Sequence, residues 1–119
     1  MRAGVLIAVV ALCGLACQPD PTDQGSMNST EIAISDDDFT PAVDTVAVNQ
    51  NIRWVFGSTN ADTHNVTWDS GPFTPTNSGD KINGSTYTVY FGTVGTYAYH
   101  CSHHGTAAGS GMAGTLTVQ

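Results

Sequence analysis

Residue types that bind transition metals occur close together near the end of the chain. Cys101 is followed by His104 three residues later and by Met112 eight residues after that, and His64 lies 37 residues before Cys101. Two imidazoles and one thiolate in a trigonal plane, with a distant methionine sulfur on the axis, form the ligand set of a blue-copper electron-transfer site. The four residues can therefore supply every ligand of such a site.

The alternation of side chains near Cys101 supports a metal site over a merely structural cysteine. A lone buried cysteine is usually a small apolar side chain. Successive side chains of a strand point to opposite faces, so Cys101 shares the face of Tyr97 and Tyr99 and is expected to point into the core. We expect the strand to end after Cys101 and residues 102–105 to leave it as a loop, so that His104 turns back over the thiol.

Other functions would use some of the same residues. Cys101 with His64 or His104 as a base would form a hydrolase-like dyad, but no orienting acid or oxyanion-hole motif accompanies it, so we expect no catalytic residues and no enzyme. A zinc site with one cysteine, two histidines and an open position is chemically compatible. A periplasmic or surface copper buffer without electron transfer is a further alternative.

The elements that must position these residues are β-strands. Apolar residues recur at period two from Glu31 onwards, which is typical of half-buried strands. Short turn sequences, of which Phe39-Thr40-Pro41 is the first, separate these segments. No segment has helical periodicity, and residues 69–82 are interpreted as one long irregular connection. Many short strands over about 100 residues predict an all-β fold, a Greek-key antiparallel β-sandwich. The alternating residues are Ile32 and Ile34; Val46 and Val48; Ile52, Trp54 and Phe56; Tyr87, Val89 and Phe91; Leu116 and Val118.

The beginning of the chain has the features of an export signal. Arg2 precedes an apolar run from Ala3 to Cys17, which is shorter than the roughly 20 residues of a membrane-spanning helix. We therefore predict a signal peptide at residues 1–16. Gly14-Leu15-Ala16-Cys17 resembles a bacterial lipobox, so Cys17 is expected to carry a lipid anchor; ordinary cleavage nearby is the alternative.

The remaining sequence divides into a tether and one domain. Residues 17–30 are rich in Pro, Ser, Asn and Asp, which predicts a flexible tether, and residues 31–119 form the domain. The predicted location is periplasmic, or membrane-anchored by the lipid on the outer side of the cytoplasmic membrane. In that oxidising compartment Cys101 would be the one cysteine of the folded part, and a bound metal explains an unpaired thiol there.

The net charge indicates which partners are excluded, and the length indicates the number of domains. The 119 residues contain 3 Lys+Arg against 10 Asp+Glu, a formal net charge of −7. This balance excludes a nucleic-acid partner, and the length indicates a single domain. We expect a monomer.

Several stretches of the sequence resemble those of the cupredoxins of the plastocyanin and pseudoazurin type. The resemblance covers about residues 31–119, and its most specific part is Cys-x-x-His followed by Gly-Met-x-Gly and a terminal strand, with His-Asn upstream. It implies a cupredoxin-like sandwich and electron transfer by one copper ion that cycles between Cu(II) and Cu(I). The matching stretches are Phe39-Thr40-Pro41, Asn51-Ile52-Arg53-Trp54-Val55-Phe56, His64-Asn65-Val66, Tyr99-His100-Cys101-Ser102-His103-His104-Gly105 and Gly111-Met112-Ala113-Gly114.

The resemblance also implies residue roles. His64, Cys101 and His104 would be the equatorial ligands and Met112 the axial ligand, while the side chain of Asn65 would tie the two ligand-bearing loops together. His103 is the alternative to His104, but a Cys-x-His spacing fits the resemblance poorly. Seven residues separate His104 from Met112, whereas plastocyanin has a shorter loop. Their Gly, Thr, Ala and Ser composition is flexible enough to bring Met112 back.

A docking surface is expected at the same end of the sandwich. Small residues would surround the edge of His104, and redox protein partners would dock there through a small, short-lived interface. The acidic run Asp36-Asp37-Asp38 either steers a basic partner or is a solvated turn. The small residues are Gly105, Thr106, Ala107, Ala108, Gly109 and Ala113.

Overall fold

The computed structural model describes residues 30–119, which form two four-stranded β-sheets. The predicted all-β sandwich is confirmed, and this part of the chain contains no helix long and apolar enough to cross a membrane. The signal peptide at residues 1–16, the lipid anchor on Cys17 and the tether up to residue 29 lie outside the described residues. The strands are β1 (Glu31–Ser35), β2 (Asp38–Thr40), β3 (Val43–Val46), β4 (Gln50–Phe56), β5 (Thr67–Ser70), β6 (Thr86–Phe91), β7 (Gly95–Gly105) and β8 (Gly111–Val118).

The two sheets are mixed rather than purely antiparallel. One has the strand order β2-β1-β4-β6 and the other the order β3-β8-β7-β5. The pairs β1–β4 and β3–β8 are parallel, and the other pairs are antiparallel. Period-two alternation indicates which face of the sheet a side chain occupies. It does not indicate the direction of the neighbouring strand. The alternation therefore predicted the sandwich without these two parallel pairs.

An aromatic core lies between the sheets, next to the strand that carries the cysteine. The rings of Trp54, Trp68 and Tyr99 are mutual neighbours, with centroids 5.2–5.5 Å apart. Each of these residues is less than a tenth exposed, and such rings contribute much of the apolar area that a small domain buries. Tyr99 stands two residues before Cys101 on the same face of β7, so this packing holds the backbone below the cysteine.

Three local predictions differ from the structure. Phe39 lies in strand β2 rather than in a turn, because its ring packs against Tyr99 with centroids 4.9 Å apart. Strand β7 runs on to Gly105 instead of ending after Cys101, with an irregular register between His100 and Gly105. The first two residues of the connection assigned to 69–82 belong to β5, and irregular chain begins at residue 71.

Candidate metal centre

The structure brings His64, Cys101 and His104 together where β7 ends. Their candidate ligand atoms all lie within 4.8 Å of one another. The Sγ of Cys101 is 3.9 Å from Nδ1 of His64 and 3.8 Å from Nδ1 of His104. His64 and Cys101 are 1% and 0% exposed, and His104 is half-buried. Three of the four residues that the sequence singled out therefore share one partly enclosed position.

These distances fit a single metal ion bound by one sulfur and two nitrogens. A first-row ion such as zinc lies about 2.0–2.1 Å from an imidazole nitrogen and about 2.3 Å from a thiolate sulfur, so two such ligands at a trigonal angle are about 3.8 Å apart. Both sulfur-to-nitrogen distances are close to this value. Thiolate with imidazole is also a donor set that suits copper.

Local backbone structure explains how each side chain reaches the cluster. Cys101 points inward on the buried face of β7, as its alternation with Tyr97 and Tyr99 predicted. His104 follows in the irregular part of the strand, where the broken register lets its ring turn towards the thiol. His64 precedes β5 and forms an isolated bridge with Lys81, whose N–H donates to the carbonyl of His64 at 3.2 Å.

The carboxylate of Asp36 lies within hydrogen-bond distance of Nε2 of His64, the ring nitrogen that faces away from Cys101. Nε2 of His64 lies 3.1 Å from Oδ1 of Asp36, and the same carboxylate accepts the backbone N–H groups of Ala61 and Asp62. The bonds from Ala61, from His64 and from Asp62, in that order, lower the pKa of Asp36 from 3.8 to about 2. Asp36 is therefore ionised at neutral pH and can accept a proton from Nε2 of His64, an arrangement that would leave Nδ1 of His64 to bind a metal.

Two further carboxylates lie near the outer edge of His104. Its Nε2 is 3.8 Å from Oδ1 of Asp37 and 3.8 Å from Oδ2 of Asp62. Both separations exceed hydrogen-bond length, and the Asp37 and Asp62 side chains are 70% and 57% exposed. The carboxylates therefore add negative potential at the surface around His104 without fixing its ring.

The side chain of Asn65 ties the two ligand-bearing segments together. Its Oδ1 accepts the backbone N–H of Ser102 at 2.9 Å, and its Nδ2 donates to Oγ of Ser102 at 2.7 Å and to Oδ1 of Asp80 at 2.8 Å. Asn65 is 6% exposed, so water competes little for these bonds. The contact that the resemblance implied for Asn65 is present.

The backbone of Met112 lies against Gly105, despite the long loop between His104 and Met112. The loop closes on itself through the bonds from Thr106 N–H to the Ser110 carbonyl and from Gly109 N–H to the Thr106 carbonyl, both 3.0 Å long. Gly105 then pairs with Gly111, and a Cβ on Gly105 would overlap the backbone of Met112. The Met112 side chain is 2% exposed and faces the core. Its axial role stays a prediction.

The other histidines contact acidic residues instead of the thiol. His103, the alternative to His104, is exposed and places Nε2 2.8 Å from Oδ1 of Asp80. His100 places Nδ1 2.8 Å from Oδ2 of Asp69. Neither belongs to the cluster around Cys101, so the geometry favours His104 over His103.

Sequence reasoning missed the contact between Asp36 and His64. The sequence alone indicates a docking surface or a solvated turn for Asp36-Asp37-Asp38, because three adjacent acidic residues are typical of exposed chain. Asp36 and His64 are 28 residues apart, and no spacing rule connects the turn after β1 to the segment before β5. Only the pairing of β1 with β4 brings the two segments together.

The chain is similar to known copper-binding proteins. Residues 27–119 match the family model of copper binding proteins, plastocyanin/azurin family. Plastocyanin from Prochlorothrix hollandica is 30% identical over an alignment of 130 residues, and the alignment covers 98% of this chain and 92% of that protein.

Solved structures with the same fold include an amicyanin mutant in its reduced Cu(I) form, with a TM-score of 0.62 at 23% identity over 80% of this chain and 83% of that one. The copper-containing nitrite reductase from Thermus scotoductus SA-01 has a TM-score of 0.61 at 21% identity over 75% of this chain. The chain spans only 22% of that reductase. At these identities the two structures establish the fold alone.

Proposed function

Because the chain belongs to the plastocyanin/azurin family of copper-binding proteins, we propose that it carries single electrons between larger redox proteins through one type 1 copper site. Copper is the cofactor of this family, and the cluster around Cys101 offers a place for one ion. The observation that carries the proposal is the placement of two imidazole Nδ1 atoms 3.8 and 3.9 Å from a single buried thiol.

In this proposal four side chains hold the ion. His64, Cys101 and His104 would bind the ion through two nitrogens and one sulfur, and Met112 would be the fourth ligand. Bound copper would supply a centre that exchanges one electron between Cu(II) and Cu(I). The soft thiolate and thioether favour the reduced ion, and imidazole suits both states. The hydrogen bonds of Asn65 and the ring packing beside Tyr99 hold the segments that carry His64 and Cys101 in place, so these two ligands would rearrange little with each transfer.

Electrons would enter and leave through His104. His64 and Cys101 are buried, whereas the His104 side chain is 24% exposed and borders the small residues of the 105–111 loop. A partner docked on this loop would reach the ring edge of His104 through a small interface, as weak redox encounters do. Asp37 and Asp62 beside the ring favour a partner with a basic docking surface.

Export of the protein is part of the proposal. The apolar run that ends at Cys17 and the lipobox-like Gly14-Leu15-Ala16-Cys17 support a periplasmic or lipid-anchored location on the outer side of the cytoplasmic membrane. An electron carrier there would meet its partners in the same compartment. Labelling with a radioactive fatty acid, compared between the native chain and Cys17→Ser, tests the anchor.

A copper titration tests the proposed function. One equivalent of Cu(II) is added to the purified metal-free protein, and visible and electron paramagnetic resonance spectra are recorded before and after ascorbate. An intense visible band with narrow copper hyperfine splitting, bleached by ascorbate, supports the electron-transfer site. A pale Cu(II) spectrum would favour copper buffering or a zinc site. Cys101→Ser must lose the intense band, and an unchanged band in that variant would contradict the assignment.

A further inference from the structure

The turn between β1 and β2 contributes a carboxylate to the surroundings of a proposed copper ligand. Asp36 lies in this turn, and its Oδ1 is 3.1 Å from Nε2 of His64. The His64 side chain is 1% exposed and the Asp36 side chain 39% exposed. The contact therefore joins a buried ring to a carboxylate at the surface.

We propose that Asp36 is a positioning residue for the copper site, which aims Nδ1 of His64 at the metal and lowers the reduction potential. The inference rests on the proposed function, because it takes His64 as a copper ligand. Asp36 then has a role different from the docking role considered for the acidic run, and its role also differs from those of its neighbours Asp37 and Asp38.

The surrounding backbone fixes this carboxylate. Oδ1 of Asp36 accepts the N–H groups of Ala61 and Asp62 at 3.0 and 3.2 Å, and Oδ2 accepts the N–H of Ala61 at 2.9 Å. Asn60 adds a bond from Nδ2 to the carbonyl of Ile34 at 3.1 Å. The segment just before His64 is therefore bound to the β1–β2 turn at several points, and the carboxylate cannot leave the ring without breaking these bonds.

The effect on the potential follows from the charge on the outer nitrogen. A histidine ligand that donates its other N–H to a carboxylate has a fixed tautomer and ring orientation and is a stronger electron donor. Stronger donation and a nearby negative charge stabilise the more highly charged Cu(II) over Cu(I). Hydrogen bonding around the ligands is one of the means by which proteins adjust metal potentials. Loss of the Asp36 charge should therefore raise the potential.

Asp37 provides a matched control for simple surface charge. Its Oδ1 is 3.8 Å from Nε2 of His104, beyond hydrogen-bond length, and its side chain is 70% exposed. Asp37→Asn removes the same charge as Asp36→Asn from the adjacent position, and it disturbs no hydrogen bond to a ligand. A through-space charge effect would act similarly in the two variants, whereas a positioning effect would appear only at Asp36.

The experiment compares the full-length native protein with Asp36→Asn, Asp36→Ala and Asp37→Asn. Copper stoichiometry and the visible band are recorded first, and the potential is then measured by spectroelectrochemical titration. We expect Asp36→Asn to lower Cu(II) affinity about ten-fold more than Cu(I) affinity, within the 10–100-fold range typical of such contacts. Each such factor of ten raises the potential by about 59 mV. Equal shifts in Asp36→Asn and Asp37→Asn, or no shift in Asp36→Asn, would overturn the proposal.

A second measurement does not depend on electron transfer. In the metal-free and zinc-loaded proteins, ¹⁵N NMR is expected to show His64 protonated on Nε2, with a slowly exchanging proton that exchanges rapidly in Asp36→Ala. Protonation on Nδ1 in the metal-free native protein would overturn the positioning role. If the native protein gave no blue-copper spectrum, the proposed function would fail, and this measurement would still decide whether Asp36 positions the His64 ring.

Discussion

Asn65 and Ser102, which follow His64 and Cys101 in the chain, are joined by two hydrogen bonds. Oδ1 of Asn65 accepts the Ser102 N–H at 2.9 Å, and its Nδ2 donates to Ser102 Oγ at 2.7 Å. The two ligands precede these residues directly, so the pair sets the separation of two segments that lie 37 residues apart in sequence. The two hydrogen bonds therefore help to set the positions of both ligands.

Replacing Asn65 by Ala should loosen the site. The change leaves the Ser102 N–H without its acceptor, so we expect a loss of about 1–3 kcal/mol in the free energy of unfolding of the metal-free protein and a fall of about 10–100-fold in Cu(II) affinity. Urea denaturation and competitive copper titration measure the two effects. Asn77→Ala is the control, because it removes a 2.9 Å bond to the Trp68 N–H away from the cluster. Equal losses of copper affinity in both variants would contradict the role of Asn65 in holding the two ligand-bearing segments together.

The choice between the two adjacent histidines is also testable. His104→Ala removes a proposed ligand and should abolish the intense visible band. His103→Ala should retain the band, because His103 contacts Asp80 rather than the thiol. Visible and electron paramagnetic resonance spectra of the copper-loaded variants distinguish them, and the reverse pattern would make His103 the ligand.

How much of this site the sequence predicts depends on how local each feature is. The inward direction of Cys101 follows from alternation along one strand and is confirmed. The extension of β7 to Gly105 was missed, because consecutive polar residues are typical of a loop and only pairing with β8 shows the strand. The contact of Asp36 with His64 and the two parallel strand pairs depend on which segments the fold brings together, and composition or period does not carry that information.

The proposed role of Met112 as axial ligand predicts shifts of opposite sign in the reduction potential of two variants. Met112→Gln replaces a soft thioether by a harder amide oxygen, which favours Cu(II), so the intense colour should remain and the potential should fall. Met112→Leu keeps the volume of the buried side chain and removes the donor, so the potential should rise. Spectroelectrochemical titration of both proteins measures the shifts. An unchanged potential in both variants would exclude Met112 as a ligand.

Gly114 should be intolerant of any side chain. A Cβ at this position would overlap the ring and hydroxyl of Tyr99, and overpacking a core typically costs about 1–3 kcal/mol. We expect Gly114→Ala to lower the urea midpoint of the metal-free protein accordingly. Gly92→Ala is the control, because its Cβ would meet the ring of the exposed Tyr90 at 3.1 Å and Oδ1 of Asn49 at the ordinary contact distance of 3.8 Å. Similar midpoints for both variants would show that Tyr99 can move aside.

Asp44 predicts a pH-dependent gain in stability when its charge is removed. This residue of β3 is 6% exposed, Oδ1 accepts the Thr45 N–H at 2.9 Å, and Oδ2 has no partner among residues 30–119. Burial raises the pKa of Asp44 above its ordinary 3.8, so the folded protein holds this proton more tightly than the unfolded chain does. Stability is then lost as the pH rises from 3.8 through the raised pKa and is not recovered above it.

Asp44→Asn should therefore raise the Tm of the metal-free protein at pH 7 relative to native, with the difference shrinking towards pH 3. The exposed Asp38→Asn removes the same charge, and an equal rise in that variant would show that general charge repulsion, not burial of Asp44, sets the effect.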